Sequence, residues 1–189
     1  MKNKEVWDNI AKEYRGYHRK LWSPVKDFIK NNKGVFLDIG CGNFPTHSSK
    51  KEIIGLDISL EQLKLGKGKR VQGNMISLPF KSKTFDNVLF IASLHNIKQR
   101  KKALKEANRV LKNNGKIFIS VWNRFQKRFF PKNLITSKIT LPFGKYPRYY
   151  HLYSKVSLKK DVKHSGFEII KILKEKNNIF LIGTKKNPE

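Results

Sequence analysis

Along this chain, short apolar runs alternate with segments in which apolar residues recur every three or four positions, and the two periods separate strands from helices. Runs at residues 35–39, 53–57, 70–72, 87–92 and 116–122 predict five strands. The first of these, Val35 to Ile39, is apolar apart from Asp38, as expected of a central parallel strand covered on both faces. Helical spacing of Val6, Trp7, Ile10, Ala11 and Tyr14 predicts an opening amphipathic helix over 4–17, placed either to cover a ligand pocket or to pack on the sheet. A second helix follows Ser23, with Pro24 in its first turn, Val25, Phe28 and Ile29 inward and Gly34 as its stop. Ser59 has the features of an N-cap with Gln62 as capping-box partner, for a helix ending near Gly66. Residues 99–111 predict a basic helix burying Ala103, Leu104, Ala107, Val110 and Leu111, and 154–164 one more, halted at Gly166. Only about a dozen residues separate the first two strands, so the helix between them is expected to be short or absent. Residues 167–173 and 179–184 read as a closing antiparallel hairpin.

Helices alternating with strands give an α/β, doubly wound, mostly parallel seven-stranded sheet with a C-terminal antiparallel hairpin. The length suits one domain over 1–189. Residues 123–150 fit none of the predicted elements: 28 residues hold seven Lys or Arg, seven Phe or Tyr, three prolines and no acid, and read as a basic aromatic insertion.

Chemistry enters at the end of the first strand. Gly40 and Gly42 allow a sharp turn and a close backbone approach to a ligand. Neither longer phosphate-binding glycine spacing is present. The second strand ends in Asp57, and an acid at that tip of an open parallel sheet is placed to accept hydrogen bonds from a ribose. The other reading of Asp57 is a cap for the helix near Ser59.

Composition narrows the classes. The charge is +27, from 41 Lys and Arg against 14 Asp and Glu. A field of that sign favours nucleic acid; Lys, Asn and Ile richness from an AT-rich genome or a high growth temperature is the competing explanation. One cysteine, Cys41, excludes a disulfide framework and a cysteine-rich metal centre. No apolar run suits a membrane span and the N-terminus lacks a signal-peptide core, so a cytoplasmic protein with no membrane contact is expected.

The segment VFLDIGCGNFP with the IIGLDIS strand resembles the cofactor half of class I S-adenosylmethionine-dependent methyltransferases. That resemblance implies S-adenosylmethionine as cofactor, held by Asp38, Gly40, Cys41, Gly42, Asp57, Ile58, Asn74, Met75 and Ile91, and no metal. Asn74 stands where related enzymes carry an acid that receives the adenine amino group; its carbonyl accepts the same bond without charge. A second layer, FIASLHNIKQRKKAL, SVWNRFQ and above all RYYHLYS (Arg148 to Ser154), resembles the tRNA wobble-uridine carboxymethyl methyltransferases, which esterify 5-carboxymethyluridine. It covers nearly the whole chain, with departures at Phe44 and Pro45, where the family has a third turn glycine, and at Asn96, where it has a second histidine. The resemblance implies Arg148 and His151 on the substrate carboxylate or a phosphate, Tyr149, Tyr150 or Trp122 on the splayed uracil, and His95 close by as a catalytic or a structural group. It further implies tRNA as substrate, at its anticodon region, and a small zinc-binding activator protein as heterodimer partner, which an exposed third strand could accept by edge pairing. A small-molecule methyltransferase and a catalytically weak RNA-binding subunit are the other readings of the same cofactor half.

Overall fold

The computed structural model describes residues 3–11, 21–43 and 51–187. Seven strands form one sheet in the order β3-β2-β1-β4-β5-β9-β8. Five are parallel neighbours: β1 Phe36–Ile39, β2 Ile53–Asp57, β3 Arg70–Gln72, β4 Phe85–Ile91 and β5 Leu111–Trp122. The hairpin β8 Phe167–Glu175 and β9 Asn178–Lys185 closes the sheet, with β9 antiparallel to β5. The fifth strand begins earlier than its apolar run because Leu111 pairs with Phe85 across a register shift.

Side-chain alternation along these strands feeds two cores. Leu37, Ile39, Val88, Phe90, Ile117, Ile119, Ile179 and Leu181 point to one face. Phe36, Leu89, Phe118 and Phe180 point to the other. The first face is covered by α4 (Arg100–Val110) and α6 (Lys155–Lys163), which bury Ala103, Leu104, Ala107, Val110, Leu158 and Val162. The second is covered by α2 (Ser23–Asn31) through Val25, Phe28 and Ile29. Ser59 caps α3 (Leu60–Leu65), its hydroxyl accepting the Gln62 N–H, while a complete capping box between Ser154 and Ser157 opens α6. The opening helix, α1, is described over Asn3–Ile10; Tyr14 and the rest of its predicted length, the Phe44-Pro45 pair and the link from β1 to β2 lie outside the described residues.

The segment expected to fit no element is built. It contains a 3-10 turn at Lys127–Phe129, the short α5 (Lys132–Ile135) and a separate hairpin, β6 (Lys138–Phe143) with β7 (Tyr146–His151). Gly144, at φ +54, and Lys145 make its two-residue turn, which needs positive φ. Its prolines obscured it: Pro142 and Pro147 face each other in the register, a placement a free two-stranded ribbon tolerates and a central strand does not. The sequence RYYHLY therefore begins on a strand, and its residues alternate between two faces. Among the described residues no helix is long and apolar enough to cross a membrane.

Candidate active site

Beyond the carboxyl ends of β1, β2, β3 and β4 lies a cleft of about 400 Å³. The turn after β1 forms one wall. Its backbone is held by Gly40 and Cys41, whose N–H groups both donate to the Leu56 carbonyl at 2.7 and 3.1 Å. Gly40 has φ +74, and a Cβ there would stand 2.5 Å from the Ser93 Cβ. Gly42 has φ +55, and a Cβ there would meet the Gln62 Oε1 at an ordinary 3.7 Å, so its conformation and not crowding calls for glycine, and the turn presents bare backbone to the cleft.

Asp57 ties this turn to the next element. Its Oδ2 accepts the Gly42 N–H at 2.8 Å and its Oδ1 accepts the Ser59 N–H at 2.9 Å. The helix cap is Ser59, not Asp57. Burial pushes the Asp57 carboxyl above the usual carboxylate range, opposed by the N–H donors and by Arg70. Each oxygen keeps a lone pair for a vicinal diol. Arg70 braces the turn from behind, donating to the Gly42 carbonyl, with a second contact to the Cys41 sulfur at 3.7 Å. Burial raises the Cys41 thiol well above its ordinary pKa, so it is an inert part of the wall.

All nine residues expected at the cofactor line this cleft: Asp38, Gly40, Cys41, Gly42, Asp57, Ile58, Asn74, Met75 and Ile91. Asn74 already uses its side-chain carbonyl to accept the Ile76 N–H at 3.2 Å, which fixes the turn after β3. The arrangement fits S-adenosylmethionine: a bare glycine turn, a buried acid at the second strand tip and apolar neighbours in Leu56, Met75 and Ile91.

The expected substrate residues divide by strand face. Arg148 and Tyr150 line the cleft with Trp122 and His95. The Tyr150 and Trp122 rings are parallel, 4.4 Å apart with 9° between their planes. His95 packs on Trp122 at 5.2 Å, and its Nδ1 accepts the Trp122 N–H at 3.4 Å, which leaves the other ring nitrogen to carry the proton. The Arg148 guanidinium lies 5.4 Å from the Tyr150 ring and 4.6 Å from Phe143. Tyr149 and His151 do not line the cleft, because neighbours on a strand point to opposite faces. His151 is 7% exposed and sits edge-on to Tyr153, and Lys98 lies over Tyr149. Burial, reinforced by the cations Arg100, Lys138 and Arg124, lowers the His151 pKa to about 4, so it is neutral at pH 7 and not a cation for a carboxylate. Tyr150, at 3% exposed, is a back wall rather than a free stacking surface.

Other residues reach the cleft without a local signal. Arg128 lies 4.4 Å over Trp122, and it and Phe143 come from the segment that showed no periodicity. Trp7 and Trp22 line it from α1 and the start of α2. The first helix is held there by Asp8, which accepts from the Ser59 hydroxyl at 2.7 Å. Aromatics on the apolar stripe of a first helix were the available hint for Trp7.

Residues 37–119 match the protein family described as "Methyltransferase domain". A putative methyltransferase of Encephalitozoon cuniculi is 29% identical, with 93% of this chain and 91% of that protein aligned. A Schizosaccharomyces pombe protein named tRNA (carboxymethyluridine(34)-5-O)-methyltransferase is 28% identical over 96% of this chain and 95% of its own. Among solved structures, the complex between the Haloferax volcanii Trm112 methyltransferase activator and a putative methyltransferase matches at TM-score 0.77 and 13% identity, covering 100% of this chain and 99% of that one. At that identity the match speaks for the fold. The glycine turn and the Asp57 brace lie together in one cleft, and the chain carries a methyltransferase domain in the class I S-adenosylmethionine-dependent methyltransferase fold.

Proposed function

We propose that this methyltransferase acts on tRNA, esterifying the carboxylate of 5-carboxymethyluridine at the wobble position. The observation that carries the reading is the wall made by Tyr150, Trp122 and Arg128 with Arg148 beside it, in the same cleft as the cofactor residues. Such a wall suits a flat, unstacked base bearing an anionic arm. Splayed bases stack on aromatic rings and on guanidinium planes. Arg128, exposed and capping Trp122, offers that plane, and Arg148 supplies the charge for the carboxylate. The S. pombe relative's name points to the same substrate.

Bound S-adenosylmethionine supplies an electrophilic methyl group on a sulfonium. A carboxylate of pKa about 4 is already ionised at neutral pH, so no general base is required of the protein. What remains is placement: Asp57, the glycine turn and the residues after β3 hold one reactant, and the cationic aromatic wall holds the other. Holding two reactants in line is by itself a large rate factor. The Haloferax complex supports a small activator protein as this chain's partner, and the zinc-binding activator implied by the sequence resemblance is the form we propose.

The test is mass spectrometry of wobble nucleosides after reaction of undermethylated tRNA, with and without activator. The expected product is a base-labile methyl ester on the wobble uridine. Base-stable label elsewhere on the tRNA, or transfer to small molecules without tRNA, would replace this reading.

A further inference from the structure

The helices α4 and α6 pack side by side over one face of the sheet, joined by Asn108 donating to the Gly166 carbonyl at 2.8 Å and by Arg100 with Asp161 at 3.8 Å. Their outer faces carry Lys101, Lys102, Lys105, Lys159, Lys160 and Lys163, all exposed. No ammonium group among the six makes a hydrogen bond or salt bridge to the described residues. The two acids on these helices are drawn inward. Glu106 holds Arg109 and the Leu78 N–H, and Asp161 accepts from the Tyr153 hydroxyl and faces Arg100. Glu106 feels the charge of Lys102, but no carboxylate forms a salt bridge with any of the six among the described residues, so cations dominate the outer surface of the pair.

This surface is continuous with the cleft. Asn96 and Ile97 line the cleft, Lys98 lies over the ring of Tyr149, and α4 starts at Arg100. Lys4, Lys64, Lys69 and Lys112 are each paired with an acid, whereas Lys26, Lys30, Lys171 and Lys174 are exposed outside any salt bridge among the described residues but lie on α2 and β8. The α4–α6 lysines are set apart by their place on two adjoining helices that lead from the cleft. Exposed lysine–carboxylate pairs contribute little, whereas a lysine bank outside such pairs holds a line of phosphates and releases their counterions.

We propose that the α4–α6 lysine bank is the docking track for a double-helical RNA stem, which it grips through phosphates while the adjoining single strand enters the cleft. This rests on the tRNA reading above and adds where the stem lies.

The test uses the full chain with its activator and a fluorescent RNA hairpin of anticodon-stem type, followed by anisotropy across a salt series. One variant carries K101E, K105E, K159E and K163E. A control carries K26E, K30E, K171E and K174E, which changes the net charge equally at exposed sites on α2 and β8. S-adenosylmethionine calorimetry and thermal melting verify that both remain folded. The bank variant is expected to bind the hairpin at least tenfold more weakly, with the slope of log K against log salt reduced by about 3 to 3.5, at roughly 0.7 to 0.9 for each of the four phosphate contacts removed. The control is expected to keep its affinity within about threefold. Equal losses in both variants would overturn the track in favour of net charge, as would no loss in either, and both outcomes leave the tRNA reading standing. A wild-type protein that binds no RNA would overturn the track and the tRNA reading together.

Discussion

Asp57 joins the turn after β1 to the turn before α3, so its removal acts on more than one future ligand contact. Asp57→Ala deletes the acceptor of the Gly42 and Ser59 N–H groups. Hydrogen bonds to a charged group are worth about 1.5–3 kcal/mol each, and the expected loss in S-adenosylmethionine affinity is at least about a hundredfold by calorimetry. Asp57→Asn keeps two acceptor sites on one oxygen and should lose less; equal affinity in all three proteins would remove Asp57 from the cofactor site. His151 makes a prediction in pH. Its pKa is about 4 in the fold against 6.5 when free, so the unfolded chain binds more protons between these values. Stability is therefore complete above pH 6.5 and falls as the pH drops from 6.5 toward 4. In His151→Gln the thermal midpoint should fall less steeply through that window, and an unchanged slope would place the acid sensitivity elsewhere.

At the scale of elements, the strands, the capped helices and the edge position of β3 were legible because each buried run is bounded by a glycine, a cap or an acid that local physics explains. The cofactor half was legible for the same reason, its residues lying within a few positions of strand ends. The substrate half was not. Arg148 and His151 stand in one short motif, yet strand alternation sends the first to the cleft and buries the second, and the strand itself was hidden by Pro142 and Pro147. Arg128 reaches Trp122 only because the segment before β6 folds back over β5, a tertiary event without periodicity. Arg128→Ala should raise the KM for tRNA about tenfold or more and leave S-adenosylmethionine affinity unchanged, which initial-rate kinetics and calorimetry would separate. Arg128→Lys keeps the charge but loses the plane, so a lysine that restores full activity would argue for a phosphate contact instead of stacking.

For the whole molecule, the sheet has two edges, and they are not equivalent. Along β8, exposed Glu168, Lys171, Lys174 and Glu175 place charge on an outer strand, a common guard against edge pairing. The other edge, β3, is three residues long and carries no such run beyond Arg70, whose guanidinium is turned back onto the glycine turn. Lys69 accepts from Gly55 and Gly73 donates to Asp57, so alternation points the N–H groups of Arg70 and Gln72 away from β2. A partner strand laid on β3 would use those groups, and it would stiffen the strand tip that carries Gly73 and Asn74 into the cleft. Activator binding and cofactor binding should then be coupled, each tightening the other by the same factor. Gln72→Pro removes one outward donor and leaves the Arg70 brace in place. It should weaken activator binding about tenfold or more in calorimetry and abolish the activator's effect on S-adenosylmethionine affinity, with the thermal midpoint of the isolated chain reporting that the sheet survives. Full-strength activator binding by a folded Gln72→Pro protein would move the interface away from β3.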